Sequence, residues 1–264
     1  MAQTASNAAP AETAGSDGKK VFILYPHSVI HEEMLDTLIM NGFETYTLRD
    51  HKKTIKILEH FPDSIVFINI DDGMPEKDWE TYIRALRENP KTKEVRIGIL
   101  SYNQDKKLME KYLMEISVPC GYIQLKLGIQ ESTRIILSAL QANEARGRRK
   151  YIRTFCENDP NATLNYKNDI GIFQGKLLDI SSAGFAAKIP KFPDLPLNSI
   201  LKGFQLKLHG TLVMANVVLM GRRRDDKDVC ILLFDPSKLG QDSKLAIHHF
   251  IKQNLQKYID QLKL

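Results

Sequence analysis

The chain has 264 residues, 43% of them hydrophobic and 26% charged, with a formal net charge of +5 at pH 7. This composition supports ordinary hydrophobic cores, and the length suits two domains of about 100 to 150 residues. The charge excess fits an anionic ligand but is too small to indicate nucleic acid by itself. The three cysteines lack metal or redox spacing, which indicates reduced thiols.

Residues 1–18 are rich in Ala, Ser, Thr and Pro and contain neither a basic start nor an apolar run. This pattern predicts a disordered tail and is not that of a signal peptide. No later stretch approaches the roughly 20 apolar residues of a membrane helix. We therefore expect a cytoplasmic protein without a membrane segment.

Strand and helix patterns alternate between residues 19 and 142. Strands are predicted over 21–25, 43–48, 64–70, 95–100 and 121–125, and helices over 31–40, 54–60, 79–88, 104–116 and 129–142. Ser28 is the predicted N-cap of the first helix. Five βα units predict a doubly wound parallel sheet covered by helices on both faces.

This arrangement resembles the receiver domain of response regulators, which holds Mg²⁺ and a phosphorylatable aspartate. No carboxylate follows the first strand, and Asn69 stands where the acceptor aspartate is expected, with Asp71 and Asp72 directly after it. Ser101 and Lys126 match the family's hydroxyl and lysine, although a strand-end serine and a solvated lysine explain them equally well. The resemblance therefore implies a pseudo-receiver domain without metal or phosphoryl transfer.

Residues 143–150 form a predicted linker, and residues 151–264 form a second domain of short strands and turns. Strands are predicted over 152–157, 162–167, 170–179, 184–189, 203–209, 211–220 and 229–234. Six or seven short strands at this spacing predict a β-barrel.

Two polar motifs flank the start of this second domain. Arg149 and Arg153 form an Arg-x-x-x-Arg pair, and Asp179, Ser181 and Gly184 form Asp-x-Ser-x-x-Gly. Along an extended chain Arg149 and Arg153 share one side, and so do Asp179 and Ser181. Arginine matches phosphate or the guanine O6/N7 edge, a carboxylate accepts from guanine N–H groups, and glycine permits positive φ or close approach to a ligand. The pattern indicates a site for a compact guanine nucleotide.

With both motifs in this order, the chain from about residue 146 onward resembles the PilZ domain, the bacterial receptor module for cyclic di-GMP. The resemblance implies a second-messenger effector, not an enzyme, with cyclic di-GMP as ligand and no cofactor. It implies that Arg149 and Arg153 grip phosphates and guanine edges, that Asp179 and Ser181 read a guanine edge, and that Gly184 permits the turn. Whether one or two nucleotides bind stays open.

The arginine motif lies at the junction between the two predicted domains. Arg148 is a predicted third cationic contact, because family members often carry a basic residue beside the pair. Ligand capture would pull the linker onto the barrel and reorient the receiver-like domain, which we expect to dock an unidentified protein partner. A linker that is loose without ligand and ordered with it would form this switch. The family's outputs are motility, attachment and polysaccharide secretion.

Two alternative functions are weighed against the receptor. Arg222, Arg223 and Arg224 precede Asp225 and Asp226, which favours a solvated hairpin tip with self-neutralising charges over a phosphate-binding role. Joined with the basic run before Arg153, these arginines would suit a nucleic-acid-binding protein instead. The other alternative is a PilZ-like interaction module that binds no nucleotide. No nucleophile elbow, P-loop or metal-ligand cluster occurs, so we assign no catalytic or metal-binding residues.

A last helix is predicted over 244–262, with apolar residues at helical spacing. By resemblance to PilZ domains, its first half should pack on the barrel. The remainder either belongs to the core or protrudes as the seam of a homodimer, and the sequence does not separate these alternatives.

Overall fold

A parallel α/β domain precedes an antiparallel β-barrel in this chain. The computed structural model describes residues 18–27 and 31–264, without the side chain of His31. The predicted tail, apart from Gly18, and the predicted N-cap Ser28 therefore lie outside the described residues.

The first domain contains a five-stranded parallel sheet in the order β2-β1-β3-β4-β5. This is the flavodoxin-like doubly wound order, and it confirms the predicted α/β architecture. Its strands are β1 Val21–Leu24, β2 Thr45–Leu48, β3 Ile65–Asn69, β4 Arg96–Ser101 and β5 Tyr122–Gln124. Its helices are α1 His31–Met40, α2 His51–His60, α3 Glu76–Glu88, α4 Lys106–Glu110 with a following π-helical turn Lys111–Glu115, and α5 Ile129–Ala142.

Helices cover both faces of the parallel sheet, because successive strand residues point to opposite sides. Ile23 shares one apolar cluster with Leu38 of α1 and Ile136 of α5. Its neighbour Phe22 belongs to a second cluster with Ile57 of α2. All five side chains are fully buried. Burial from both faces explains why β1 is apolar throughout and β3 is apolar up to its last residue, Asn69.

The second domain is a closed barrel of six antiparallel strands, with a seventh strand added outside. The barrel runs β8-β7-β10-β11-β12-β9 and closes by pairing of β9 with β8, while β6 pairs with β8 at the linker. This confirms the predicted barrel of six to seven strands. The strands are β6 Arg153–Phe155, β7 Ala162–Lys167, β8 Ile172–Ser181, β9 Gly184–Lys188, β10 Ile200–Leu208, β11 Thr211–Arg222 and β12 Val229–Phe234.

The strand predicted to begin at Gly203 begins three residues earlier, at Ile200. Gly203 has a φ of +80° and lies at an irregularity in the pairing of β10 with β11. The glycine therefore marks a β-bulge inside the strand, not its start.

The last helix, α6 Gln241–Asp260, contacts both domains. Phe250 and Leu255 are buried in the core that includes the barrel. On the other side Lys252 is 2.7 Å from Asp36 of α1, and Gln256 exchanges two hydrogen bonds of 2.9 Å with the backbone of Thr47. The second half thus packs against the α/β domain, which supports the alternative in which it belongs to the core. Most of the apolar stripe is buried within the chain, but Leu245 and Tyr258 are 57% and 42% exposed. A homodimer seam at this helix stays a prediction.

Among the described residues, no helix combines the length and the apolar character that crossing a membrane requires.

Candidate functional site

A cleft of about 310 Å³ lies where the linker meets the barrel. The start of β6 and the residues before it form one side, and the ends of β8 and β12 with the start of β9 form the floor. The lining comprises Arg149, Lys150, Tyr151, Arg153, Asp179, Ser181, Ala183, Gly184, Phe185, Ala186, Arg223, Ile231, Leu232 and Leu233.

Strand register brings the two sequence motifs into this one cleft. β6 pairs with β8 so that Arg153 lies opposite Ser181, and Arg153 Nε is 3.3 Å from a carboxylate oxygen of Asp179. The chain bends at Lys150 and Tyr151, so only Arg153 belongs to a strand. Arg149 therefore reaches the cleft through a bent linker, and not through the extended geometry predicted for the pair.

Asp179 is the buried acid at the bottom of the cleft, with 3% of its surface exposed. Burial raises the pKa of its carboxyl above the ordinary value, because the charged form loses water. Arg153, Arg223 and Arg149 lower that pKa through their charge, and so does a hydrogen bond from the backbone N–H of Ala186, but burial prevails. The carboxylate is thus held with incomplete compensation, next to positive charge and an open cleft.

Ser181 closes the turn that follows Asp179. Its hydroxyl donates to the carbonyl of Gly184 at 3.1 Å and accepts from the N–H of Ala183 at 3.3 Å. The serine therefore holds the turn in shape at the cleft floor. It lies two residues from Asp179 in β8, and both line the cleft, so the predicted shared face is present.

Gly184 is required by packing against β12. A Cβ at this position would lie 2.2 Å from the carbonyl oxygen of Leu232 and 2.8 Å from Cα of Leu233, both backbone atoms. Gly184 is not among the described glycines with positive φ, so of the two properties predicted for it, positive φ and close approach without a Cβ, the first is not adopted. Its lack of a side chain lets two strands approach and keeps the cleft floor flat.

Arg148 is exposed and does not line the cleft, although the sequence suggested it as the third cation. The structure places Arg223 there instead. The run from Arg222 to Arg224 indicated a possible phosphate-binding role in the sequence. The adjacent aspartates instead favoured the interpretation of a hairpin tip whose charges neutralise one another. Asp226 in fact pairs with Lys188 at 2.7 Å, and Arg222 binds backbone carbonyls.

The linker before the cleft has fixed contacts with the α/β domain. Arg146 donates to the carbonyl of Asn41 at 2.5 Å, and buried Ala145 accepts from the N–H of Lys19 at 2.9 Å. Gly42, which follows α1, lies close to the linker backbone: a Cβ at this position would be 2.9 Å from the carbonyl oxygen of Lys150. The linker described here is therefore ordered. The loose linker that we predict for the ligand-free state would be a different conformation.

The carboxyl edge of the parallel sheet is closed by its own side chains. Asp71 accepts hydrogen bonds from the Ser101 hydroxyl and the Tyr102 N–H, both at 2.6 Å, and Asn69 donates to the carbonyl of Tyr25 at 2.9 Å. Lys126 is exposed. No group of three potential metal ligands occurs in residues 18–27 and 31–264. This edge therefore offers no assembled site for a metal and a phosphoryl group.

No protein-family model and no curated protein sequence matches this chain. Among solved structures, it is similar to the PilZ domain with c-di-GMP of YcgR from Escherichia coli, at 15% identity and a TM-score of 0.34, over 44% of this chain and 99% of the other. MrkH of K. pneumonia in complex with c-di-GMP matches at 17% and 0.33, over 40% of this chain and 51% of the other. MotI/DgrA, an inhibitor of motility from Bacillus subtilis, matches at 12% and 0.34, over 44% and 53%.

The chain spans about half the length of MrkH and of MotI/DgrA. Similarity at this level of identity and TM-score carries no argument about function, which depends on the site itself.

Proposed function

We propose that this chain is a PilZ-type cyclic di-GMP receptor that transmits ligand binding to a protein partner. The observation that supports it best is the buried Asp179 at the floor of a cleft that also contains Arg149 and Arg153. An incompletely compensated carboxylate beside an open cleft is suited to accept hydrogen bonds from a ligand. The arginines are suited to bind the anionic part of the same ligand.

The acid and the arginines together select guanine. Guanine presents N1–H and N2–H donors on one edge, which a carboxylate accepts, and O6 and N7 acceptors on another, which an arginine fork matches. Adenine lacks the N1–H and N2–H donors and offers a carboxylate only its N6–H₂ group, so it would satisfy the Asp179 carboxylate less completely. The cleft therefore favours a guanine nucleotide with phosphate groups over its adenine counterpart.

Ligand binding would reach the α/β domain through the linker. Arg149 lines the cleft only three residues after Arg146, which binds the α/β domain through Asn41. Movement of Arg149 toward a ligand phosphate would strain the hydrogen bond between Arg146 and Asn41. It would also weaken the contacts of α6 with Thr47 and Asp36. We propose that occupancy reorients the α/β domain and so exposes or hides a docking surface for a partner in motility, attachment or exopolysaccharide output.

The nucleic-acid alternative loses support from the partners of its arginines. Arg146 binds the carbonyl of Asn41, and Arg222 binds the carbonyls of Phe192, Pro193 and Lys227. These two guanidiniums are occupied within the protein, which leaves fewer arginines of the two basic runs for nucleic-acid phosphates.

Replacement of both linker arginines tests the proposal. The Arg149→Ala/Arg153→Ala protein should lose cyclic di-GMP binding by calorimetry, while Arg148→Ala, outside the cleft, should bind like the wild type. Circular dichroism of the three proteins establishes that the barrel is intact. Wild-type affinity in the double variant would refute the site assignment.

The reorientation has its own readout. The Thr47 N–H, on the edge strand β2, donates to the Gln256 side chain of α6 at 2.9 Å. If ligand binding separates these elements, hydrogen exchange at Thr47 should accelerate on saturation with cyclic di-GMP. Unchanged exchange at Thr47 together with saturable binding would leave the receptor intact and exclude the reorientation.

A further inference from the structure

Arg223 lies at the far end of the candidate ligand cleft, outside both sequence motifs. It follows β11, and its N–H donates to the carbonyl of Val229 at 3.0 Å, which fixes the start of its side chain at the β11–β12 turn. Within residues 18–27 and 31–264, its guanidinium makes no hydrogen bond or ion pair, although its charge acts on both Asp179 and Asp226. A positioned but uncommitted arginine in a cleft is suited to an anionic ligand.

The neighbouring arginines differ from Arg223 in this respect. Arg222 holds the turn in place, through the carbonyls of Lys227, Phe192 and Pro193 and by stacking on the Phe192 ring at 5.7 Å. Arg224 is exposed and does not line the cleft. The run thus separates into a structural arginine, a cleft arginine and a surface arginine.

Strand order places Arg223 opposite the linker arginines. From Arg153 on β6, the sheet continues through β8, β9 and β12 to β11, which is four strand spacings or about 19 Å along the barrel surface. Two long arginine side chains directed into the cleft from its two ends shorten this span. The separation suits a ligand with anionic groups at both ends better than a mononucleotide.

The floor between these two ends is apolar and open. Ile231 and Leu233 line it, with 41% and 38% of their surfaces exposed, next to the flat backbone at Gly184. Leu233 pairs with Gly184 and Ile231 with Ala186 across β12 and β9, so the two side chains form one continuous strip. An exposed apolar strip between cationic ends offers a surface for the face of a purine ring.

We propose that Arg223 is a third ligand-binding cation, which holds the second phosphate of a dinucleotide whose purine lies on Ile231 and Leu233. This inference rests on the proposed receptor function and adds the far side of the site. It makes the affinity for a two-phosphate ligand depend on a residue that neither motif contains.

Calorimetric titration with cyclic di-GMP tests the proposal in four proteins: wild type, Arg223→Ala, Arg224→Ala and Ile231→Ser. Loss of one set of charge-assisted bonds should lower the affinity of Arg223→Ala about tenfold or more, and Arg224→Ala should match the wild type. Raising the salt concentration should weaken binding less in Arg223→Ala than in the wild type. The affinity of Ile231→Ser should fall with an unchanged salt dependence.

The outcomes separate this inference from the function on which it rests. Wild-type protein that binds no cyclic di-GMP would refute the receptor and, with it, the role of Arg223. Binding by the wild type with equal affinity in Arg223→Ala would refute the inference alone. Equal losses in Arg223→Ala and Arg224→Ala would show general attraction by charge, which also contradicts a specific contact.

Discussion

Replacing Asp179 by asparagine should separate ligand binding from stability. The side chains have nearly the same shape, but asparagine carries no charge and presents an N–H₂ group where guanine also donates. The two charge-assisted hydrogen bonds from guanine to the carboxylate are then lost or replaced by one neutral bond. This weakens the free energy of binding by about 2 to 4 kcal/mol, or roughly 30- to 1,000-fold in affinity. Calorimetry with cyclic di-GMP measures this loss directly.

The same substitution should stabilise the fold at neutral pH. Because burial raises the folded-state pKa of Asp179 above its unfolded value near 3.8, ionisation opposes folding. The stability that the protonated acid provides is complete below the unfolded pKa and is lost as pH rises through the folded pKa. Asp179→Asn should therefore gain stability over the wild type progressively as pH rises above about 4. The ion pair lost with Arg153 offsets little, since that arginine side chain is 42% exposed.

Denaturant unfolding of both proteins from pH 4 to pH 8, together with ligand titration, checks the two effects. A variant that is less stable than the wild type at pH 7 would contradict the electrostatic reasoning. A variant that retains wild-type affinity would contradict the guanine-edge role of Asp179.

Three further predictions concern packing, the domain interface and the thiols. Gly184→Ala should lower the free energy of unfolding by about 1–3 kcal/mol in denaturant titration, since its Cβ meets backbone of β12, whereas Gly171→Ala, with open space around it, should not. Lys252→Ala should accelerate hydrogen exchange at Thr47 without ligand, because it removes the ion pairs of 2.6 and 2.7 Å between α6 and α1. Unchanged exchange would contradict a role for these ion pairs in the domain interface. Burial raises the pKa of the Cys156 thiol to about 12, so iodoacetamide at pH 7.5 should alkylate it only after unfolding, and rapid modification of the native protein would be inconsistent with this packing.

The architecture could be predicted because each domain follows a local pattern. Apolar runs such as residues 65–68 alternate with amphipathic helices, and this order leaves few arrangements for a parallel sheet. The pattern cannot show where a long helix packs once it leaves its own domain. The second half of α6 has an apolar stripe suited to any partner, and its docking on Thr47 depends on the relative placement of two domains.

The candidate site could be predicted only where spacing along the chain matters. The two motifs meet because β6 pairs with β8, and the resemblance to PilZ domains already implied that both motifs bind one ligand. Arg223 comes from a different hairpin and reaches the cleft through the closure of the barrel, which no local pattern encodes. The sequence also did not reveal that strand packing requires a glycine at position 184. The backbone that a Cβ there would meet belongs to Leu232, on a strand far away in sequence.

The most direct test of the receptor proposal is titration of the purified wild-type protein with cyclic di-GMP beside cyclic di-AMP and GTP. We expect saturable binding of cyclic di-GMP and none of the adenine dinucleotide, because only guanine presents both the N1–H and N2–H donors to the Asp179 carboxylate. The stoichiometry would show whether one or two nucleotides occupy the cleft. Equal binding of both dinucleotides, or no binding of either, would contradict the proposed function.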